Sequence, residues 1–202
     1  MTRPMHKKDL VLATTNKNKL EEIRHVMAGL PYRLLSLSDL NIDIEIVEDG
    51  ETFEANATKK AATIRDICGL TTIADDSGLV IDHLNGEPGV DSALYLGVNA
   101  SYQERFDHIL SSMADVHGAG RSARFVCVMA IAPVGGEVEL VRAEVEGLIF
   151  NEPRGSMGHG YDPIFYFPKL NKTFAELSME EKNEHSHRGL AMAMALQKLK
   201  SL

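Results

Sequence analysis

Apolar and polar positions alternate along this chain in two patterns, short continuous apolar runs and longer stretches with helical spacing. Residues 10–13 form an apolar run that is typical of a buried strand. From Lys17 the apolar positions recur at helical spacing, until Gly29 and Pro31 end the predicted helix. Residues 32–37 predict a second strand. This alternation of strand and helix predicts an α/β fold with a mixed sheet.

The middle of the chain repeats the same order of elements. A predicted helix opens at Glu51 or Thr52 and ends at Gly69, with its apolar residues on one face. Residues 71–74 predict a strand that leads into an acidic turn, and residues 79–84 predict the strand that leaves it. We therefore expect the acidic residues to lie at the junction of two strands.

Hairpins dominate the pattern in the second half of the chain. Residues 123–132 and 138–145 are long β-rich runs joined by two glycines, which predicts a hairpin. Residues 161–167 predict a short aromatic strand, and a final helix is expected from Ser186 onward. The residues that this last helix is expected to turn inward are Leu190, Met194 and Leu196.

Composition and charge narrow the possible functions. The chain has 202 residues, 44% of them hydrophobic, which allows a real core, and its formal net charge is −8. An acidic chain has no general attraction for phosphate backbones, so binding to polymeric nucleic acid is disfavoured. The N-terminal apolar run is too short for a signal peptide or a membrane span, and two cysteines in no metal-binding spacing fit a reducing cytosol. We expect a cytoplasmic protein with one domain over residues 1–202, of which residues 1–8 are a flexible extension.

Two adjacent carboxylates, Asp75 and Asp76, follow an apolar run and precede Ser77. Adjacent acids repel, and burying one of them unpaired costs several kcal/mol, so a partner is expected. Mg²⁺ or Mn²⁺ is one candidate, and Glu48 in the acidic segment 48–51 is a second carboxylate for it. The alternative is an ordinary polar turn, with the acids near Glu48 serving only to cap the next helix.

A polar segment, residues 14–19, lies between the first predicted strand and helix. Backbone N–H groups at a helix N-terminus bind anions, and Lys19 adds a positive charge for a phosphate. The segment contains no glycine, which excludes a P-loop or a dinucleotide-binding motif. A capped helix with solvated lysines explains the same residues, so both interpretations stay open.

Residues 155–163 are rich in glycine and could bring the backbone close to a flat ligand. The rings of His159 and Tyr161 could stack on a base, and Asp162 could accept a hydrogen bond from it. A flexible surface loop is the alternative interpretation.

A fourth polar group precedes and opens the last helix. Lys182 could reach a phosphate or a base carbonyl, and His187 with Arg188 could donate to a carbonyl oxygen. The alternative for these two residues is a solvated helix end, although an arginine there is poorly placed for the helix dipole.

These segments, in this order, resemble the Ham1 family of inosine triphosphate pyrophosphatases over about residues 10–199. The most specific matches are Ile-Ala-Asp-Asp-Ser-Gly-Leu at 73–79, Gly-Tyr-Asp-Pro-Ile-Phe at 160–165, and Glu-Lys-Asn with Ser-His-Arg-Gly within 181–189. The resemblance implies an elongated mixed β-sheet with flanking helices, two lobes around a central cleft, and a homodimer. It also implies Mg²⁺-dependent hydrolysis of noncanonical purine nucleoside triphosphates, ITP, dITP or XTP, to the monophosphate and pyrophosphate.

The resemblance further implies a role for each matching residue. Glu48 and Asp76 would bind Mg²⁺, Asp76 would also activate the attacking water, and Asp75 would lie beside the metal site. Ser77 would contact the substrate. The residues implied for the triphosphate are Thr14, Thr15, Asn16, Lys17, Asn18 and Lys19. Those implied for the base are His159, Gly160, Tyr161, Asp162, Lys182, His187 and Arg188.

Two positions depart from the usual family pattern. Thr15 stands where Gly or Asn is frequent, and His159 stands where Phe or Trp is usual, which leaves the affinity for the base open. The main rival function is a Maf-like nucleotide pyrophosphatase that prefers dTTP or UTP. A nucleotide-binding regulator with a dead site is the alternative without enzymatic activity.

Overall fold

The computed structural model describes residues 7–201, which fold as an α/β structure. The strands are β1 (Lys8–Leu12), β2 (Tyr32–Ser36), β3 (Thr72–Ile81), β4 (Ser122–Ala132), β5 (Glu139–Ile149), β6 (Phe165–Phe167) and β7 (Lys172–Thr173). The α-helices are α1 (Lys17–Val26), α2 (Phe53–Cys68), α3 (Tyr102–Ser112), α4 (Met179–His185) and α5 (His187–Leu199). In this described part of the chain, no helix is both long and apolar enough to cross a bilayer.

The strands form a mixed sheet, which confirms the predicted sheet type, and their order is β2-β1-β3-β4-β5-β6-β7. β1 pairs in parallel with β2 and with β3, where Leu12 lies opposite Ile73. β6 pairs antiparallel with both β5 and β7. Parallel neighbours need a crossover connection, which α1 and α2 supply, whereas the short connections near the C-terminus allow antiparallel pairing.

The chain divides into two compact units. The first unit runs to Asp76 and also includes Val128–Arg142 and the chain from Ala191 onward. The second unit consists of Ser77–Cys127 and Ala143–Leu190. The expectations of one domain and of a cleft between two lobes stay predictions.

The prediction that residues 1–8 form a flexible extension is wrong at Lys8. Residues 1–6 lie outside the described residues. Lys8 is not part of an extension, because it begins β1: it lies opposite Tyr32, and its N–H donates to the carbonyl of Pro31 at 3.0 Å. Pairing with β2, the strand at the edge of the sheet, therefore fixes the backbone of Lys8.

Local signals in the sequence set both ends of α2. The Thr52 hydroxyl accepts from the N–H of Ala55 at 3.1 Å, which caps the first turn, and Gly69 ends the helix with φ +67. The face that packs inward is apolar at Phe53, Ala57, Ala61 and Ile64, which confirms the predicted helix. Two polar residues, Asn56 and Lys60, are buried on the same helix.

The acidic pair lies inside one continuous strand, which corrects the prediction of a turn between two strands. β3 runs through Asp75 and Asp76 without a break, and every residue of it except Ser77 is buried. The strand predicted over residues 79–84 is only its end, because a 3₁₀ turn follows at Asp82–Leu84. β3 lies between β1 and β4, and pairing of its backbone on both sides outweighs the turn preference of Asp, Ser and Gly.

Two predictions near the C-terminus are wrong in part. Only Phe165–Phe167 of the predicted strand 161–167 is extended, because Asp162–Ile164 forms a 3₁₀ turn with a proline in it. In α5, the predicted core residues Leu190 and Met194 are 40% and 44% exposed. The apolar residues of this helix that are buried instead are Ala191, Met192, Ala195 and Leu199.

Candidate active site

Asp75 and Asp76 are successive residues of β3, so their side chains point to opposite faces of the sheet. Asp75 is fully buried at its side chain, and its Oδ2 lies 3.0 Å from Nζ of Lys19 in the first turn of α1. Strand geometry thus separates the two carboxylates, and an ammonium group is the partner of the first.

Asp76, 5% exposed, is held from the other side by two residues of α2. Nδ2 of Asn56 donates to Oδ2 of Asp76 at 3.2 Å. Nζ of Lys60 donates to Oδ1 of Asp76 at 3.4 Å. Residues four apart on a helix lie on one face, so a single helix places a donor on each oxygen of this carboxylate.

Lys60 also brings the second predicted metal ligand to Asp76. Its Nζ donates to Oε2 of Glu48 at 2.5 Å, although Glu48 lies in the segment 42–50, which has no regular secondary structure. Both carboxylates contact the same ammonium group, so they lie within two hydrogen-bond lengths of each other. The structure therefore brings together the two acids that sequence analysis singled out.

Burial and charge shift the pKa of both partners. Burial raises the pKa of Asp76 to about 6, against the opposing charges of Lys60 and Lys19 and with support from the Glu48 charge. For Lys60, burial alone would lower the pKa, but the negative charges of Asp76, Asp75 and Glu48 outweigh it and the pKa is raised. Lys60 therefore stays charged, while Asp76 can exchange a proton near neutral pH.

Residues 14–19 form the capped start of α1. Oδ1 of Asn16 accepts from the N–H groups of Asn18 at 3.0 Å and Lys19 at 3.3 Å, and Oγ1 of Thr14 accepts from the N–H of Asn16 at 3.2 Å. Two of the backbone donors that we expected to be available for an anion are thus used by the cap. The segment begins just after β1. The N–H of Ala13, the residue before it, donates to the carbonyl of Ile73 in β3 at 2.8 Å, so the chain is still bonded to β3 where the segment begins.

The donor set around Asp76 fits a magnesium ion. Glu48 and Asp76 supply two carboxylates, one exposed and one buried, and Mg²⁺ takes one or two protein carboxylates and retains several waters. Within residues 7–201, no group of three or more His, Cys, Asp and Glu side chains could form a denser cage. Such a donor set could hold only an ion that takes its remaining ligands from outside the protein.

In the second unit, Asp162 organises the glycine-rich segment. Its Oδ2 accepts from Nζ of Lys182 at 2.6 Å and from the backbone N–H of His159 at 2.7 Å, and both side chains of the ion pair are at most 4% exposed. A Cβ at Gly158 would lie 2.2 Å from Oδ2 of Asp162, so only glycine fits there. The hydrogen bonds of Asp162 and the close contact at Gly158 hold this segment in place, so it is not a flexible loop.

His187 and Arg188 are 4% and 3% exposed, which excludes a solvated helix end. The ring of His187 stacks on Phe125 with centroids 4.6 Å apart and 10° between the planes. Arg188 donates from Nη2 to Oγ of Ser77 at 2.8 Å. The structure thus brings Ser77 to Arg188, two of the predicted substrate-binding residues.

Tyr161 is 3% exposed, and its ring packs inside the hydrophobic core of the second unit. Its hydroxyl donates to the carbonyl of Ser92 at 2.9 Å, and burial raises its pKa. The ring lies edge-on to Tyr102 at 5.4 Å. Little of the ring is exposed for the predicted stacking on a base, because its surface is packed against core residues.

Comparison with known proteins decides the family. Residues 10–198 match the Ham1 family. The chain belongs to the Ham1 family. A relative named dITP/XTP pyrophosphatase, from Geobacter sulfurreducens, is 48% identical over 92% of this chain and 93% of its own length.

Solved Ham1 structures share the fold. The HAM1 protein from Coxiella burnetii has a TM-score of 0.87 and 38% identity, covering 96% of this chain and 100% of that chain. The Staphylococcus aureus Ham1 protein has a TM-score of 0.85 and 37% identity over 96% of this chain and 99% of its own. The mixed sheet with flanking helices is therefore the fold of this Ham1 chain.

Asn56 and Lys60, which contact Asp76 in this Ham1 chain, are not among the residues predicted for the site. Their signal was present in the pattern: both recur at helical spacing beside the apolar residues of α2, on a face that the helix buries. A buried lysine is rare unless it is paired, so a polar residue within an apolar stripe predicts a charged partner on the neighbouring element. The stripe alone could not say which strand carries that partner.

Proposed function

We propose that this chain is an enzyme that hydrolyses noncanonical purine nucleoside triphosphates, ITP, dITP and XTP, to the monophosphate and pyrophosphate. Membership of the Ham1 family and the name of the Geobacter relative support the proposal. The observation that carries it is the meeting of Glu48 and Asp76 at the ammonium of Lys60, with Lys19 paired to the preceding residue of β3. Carboxylates interleaved with lysines can hold both a divalent cation and phosphate groups.

Mg²⁺ is the cofactor that we propose, held by Glu48 and Asp76. When bound, Mg²⁺ supplies electrostatic stabilisation of the charge that develops on the phosphate oxygens. Lys19 and Lys60 would add positive charge for a triphosphate beside it. Residues 14–19 would contribute side-chain hydroxyl and amide groups to the same phosphates.

Asp76 is the proposed general base. Its carboxylate would orient a water molecule for attack on the α-phosphorus and accept the proton of that water. In the metal-free protein the pKa of Asp76 is raised to about 6, so the carboxylate is mostly ionised at neutral pH and still basic enough to accept a proton. Attack at the α-phosphorus releases pyrophosphate in one step, which accounts for the proposed products.

Recognition of the base is proposed for residues of α4 and α5. Lys182, held by Asp162, and Arg188, held by Ser77, are cationic donors suited to the 6-oxo group of hypoxanthine or xanthine. The 6-amino group of adenine would place donor against donor and leave buried polar groups unpaired. Asp75 would serve as a carboxylate beside the metal site by fixing Lys19.

We further propose a cytoplasmic homodimer that acts on free nucleotides and not on polymeric nucleic acid. The net charge of −8 supports the last point, because phosphate backbones are repelled by an acidic chain. Light scattering after size-exclusion chromatography tests the dimer, since the chain mass is 22.2 kDa. A solution mass equal to that of one chain would contradict it.

A substrate panel tests the proposed function. Purified protein is incubated with ITP, dITP, XTP, ATP, GTP, dTTP and UTP, with Mg²⁺ and with EDTA, and the products are separated by ion-exchange chromatography. We expect Mg²⁺-dependent release of pyrophosphate from the first three, with kcat/KM about 100-fold above the value for ATP. Release of orthophosphate, or a preference for dTTP or UTP, would contradict the proposal.

A further inference from the structure

The side chain of Asn56 makes three hydrogen bonds and is only 3% exposed. Its Oδ1 accepts from the N–H of Gly50 at 2.8 Å. Its Nδ2 donates to the carbonyl of Gly50 at 3.3 Å and to Oδ2 of Asp76 at 3.2 Å. One amide thus joins three parts of the first unit: the segment before α2, α2 itself and β3.

The segment that Asn56 holds is the one that carries Glu48. Residues 42–50 have no regular secondary structure, so the backbone there lacks the ladder of hydrogen bonds that fixes a strand or a helix. Asn56 pairs with both backbone groups of Gly50, two residues after Glu48. This double contact fixes where the exposed Glu48 carboxylate can reach.

Asn56 also limits the rotation of Asp76. Its Nδ2 contacts one carboxylate oxygen, and Lys60 contacts the other, so rotation of the carboxylate about its axis would lose both hydrogen bonds. Asparagine suits the position because its short amide carries an acceptor for one backbone group and donors for two further groups. A carboxylate there would lose the donors, and an alkyl group would lose all three contacts.

We propose that Asn56 is a positioning residue that holds the Glu48 segment and the Asp76 carboxylate in one fixed arrangement for the divalent cation. The inference rests on the proposed function, because it concerns the same pair of carboxylates. Asn56 itself contacts neither cation nor substrate in this account. It acts through Glu48 and Asp76, as hydrogen-bond partners of metal ligands do.

Gly50 offers an independent way to disturb the same contact. A Cβ at position 50 would lie 2.6 Å from Oδ1 of Asn56 and 2.8 Å from Cβ of Ala55. Gly50→Ala would therefore push the amide of Asn56 away from its partners without removing it. The substituted residue lies in the irregular segment, so no residue of α2 is itself replaced.

The test compares Asn56→Ala and Gly50→Ala with Thr52→Ala. The Thr52 hydroxyl caps the same helix by accepting from the N–H of Ala55, so its loss weakens the start of α2 without removing a contact to Asp76. Binding of Mn²⁺ is measured by electron paramagnetic resonance in the presence of a non-hydrolysable inosine triphosphate analogue. Steady-state kinetics with ITP give kcat and KM for each variant.

We expect Asn56→Ala and Gly50→Ala both to weaken Mn²⁺ binding and to lower kcat by about 10-fold to 100-fold. At saturating Mg²⁺, KM for ITP should change less than about threefold, because the phosphate-binding and base-binding residues are untouched. Thr52→Ala should leave Mn²⁺ affinity and kcat near the wild-type values. Unchanged Mn²⁺ affinity and kcat in a folded Gly50→Ala or Asn56→Ala protein would overturn the positioning role.

The same experiment separates this inference from the proposed function. A wild-type protein that neither binds Mn²⁺ with the analogue nor hydrolyses ITP would contradict the proposed function, and the inference would fall with it. A wild-type protein that does both, with variants that match it, would overturn only the role of Asn56. Should Asn56→Ala fail to fold, Gly50→Ala decides the question alone.

Discussion

The ammonium of Lys19 lies 3.0 Å from a carboxylate oxygen of Asp75. The side chain of Asp75 is fully buried and that of Lys19 is 16% exposed, so the pair joins the first turn of α1 to the interior strand β3. Lys19 therefore has a structural partner as well as its proposed role toward phosphate. The two roles can be separated by substitution.

Replacing Lys19 by Met leaves the buried Asp75 carboxylate without this positive charge. We expect the free energy of unfolding to fall by about 1–3 kcal/mol, because a buried charged group loses a strong hydrogen bond. We also expect kcat/KM for ITP to fall at least about 10-fold, the equivalent of roughly 1.4 kcal/mol of lost phosphate binding. Urea unfolding and steady-state kinetics measure the two effects.

The double variant Lys19→Met with Asp75→Asn distinguishes the two roles of Lys19. Removing both charges takes away the buried carboxylate that has lost its ammonium partner, so most of the lost stability should return. Activity should stay low, since the cation for phosphate is still missing. Recovery of wild-type KM in the double variant would show that Lys19 serves only as the partner of Asp75.

Asp76→Asn should abolish hydrolysis and yet keep or increase stability. The folded pKa of about 6 lies above the ordinary value of 3.8, so the folded state binds this proton more tightly than the unfolded state. For this group, stability falls as pH rises from about 4 to about 6, and it stays reduced at neutral pH. The substitution removes that loss, and we expect the melting temperature in EDTA to rise by about 2–4 °C at neutral pH.

Thermal unfolding of both proteins at about pH 4.5 and about pH 7.5 checks the sign of this effect. The advantage of Asp76→Asn should be larger at the higher pH, where the wild-type carboxylate is ionised. A variant that is equally destabilised at both values would show that Asp76 stabilises the fold as an ion. Unchanged kcat would remove Asp76 from the mechanism.

Gly158→Ala should disrupt the buried pair of Asp162 and Lys182. Its Cβ would lie 2.2 Å from Oδ2 of Asp162 and 3.0 Å from Nζ of Lys182, at a residue whose φ is +77. We expect KM for ITP to rise at least about 10-fold and stability to fall by about 2 kcal/mol, from contact and backbone strain together. Gly118→Ala is the matched control, since φ is +55 there and, apart from its neighbours in the chain, no residue lies within 4 Å of the added Cβ.

His159→Phe should retain or improve the KM for dITP. Asp162 accepts from the backbone N–H of residue 159, which phenylalanine keeps, and a larger aromatic ring offers more area for stacking on a purine. The measurement is steady-state kinetics with dITP at neutral pH. A hundredfold loss of kcat/KM would show that the imidazole has a role of its own.

Much of the fold could be predicted because short-range signals decide it. Thr52 and Gly69 set the ends of α2 through a cap and a left-handed residue, and both act within a few residues of the chain. The acidic part of β3 could not be predicted in this way. Its turn-forming residues argue for a turn, and only the neighbouring strands β1 and β4 make it continuous.

The last helix shows a second limit. Apolar residues occupy nearly all sides of α5, so their spacing selects no single face. Packing buries Ala191 and Met192 and leaves Leu190 and Met194 exposed. The face of such a helix depends on what it packs against.

The amino-acid sequence by itself determined most of the secondary elements, the residues of the motifs and the family of this protein, because each of these depends on neighbours along the chain. The tertiary structure alone decided that Asp75 and Asp76 face different partners and that Lys60 joins Asp76 to Glu48. Helical and strand periodicity states which residues share a face. It does not state which element lies against that face, and the candidate site is made of such contacts between elements.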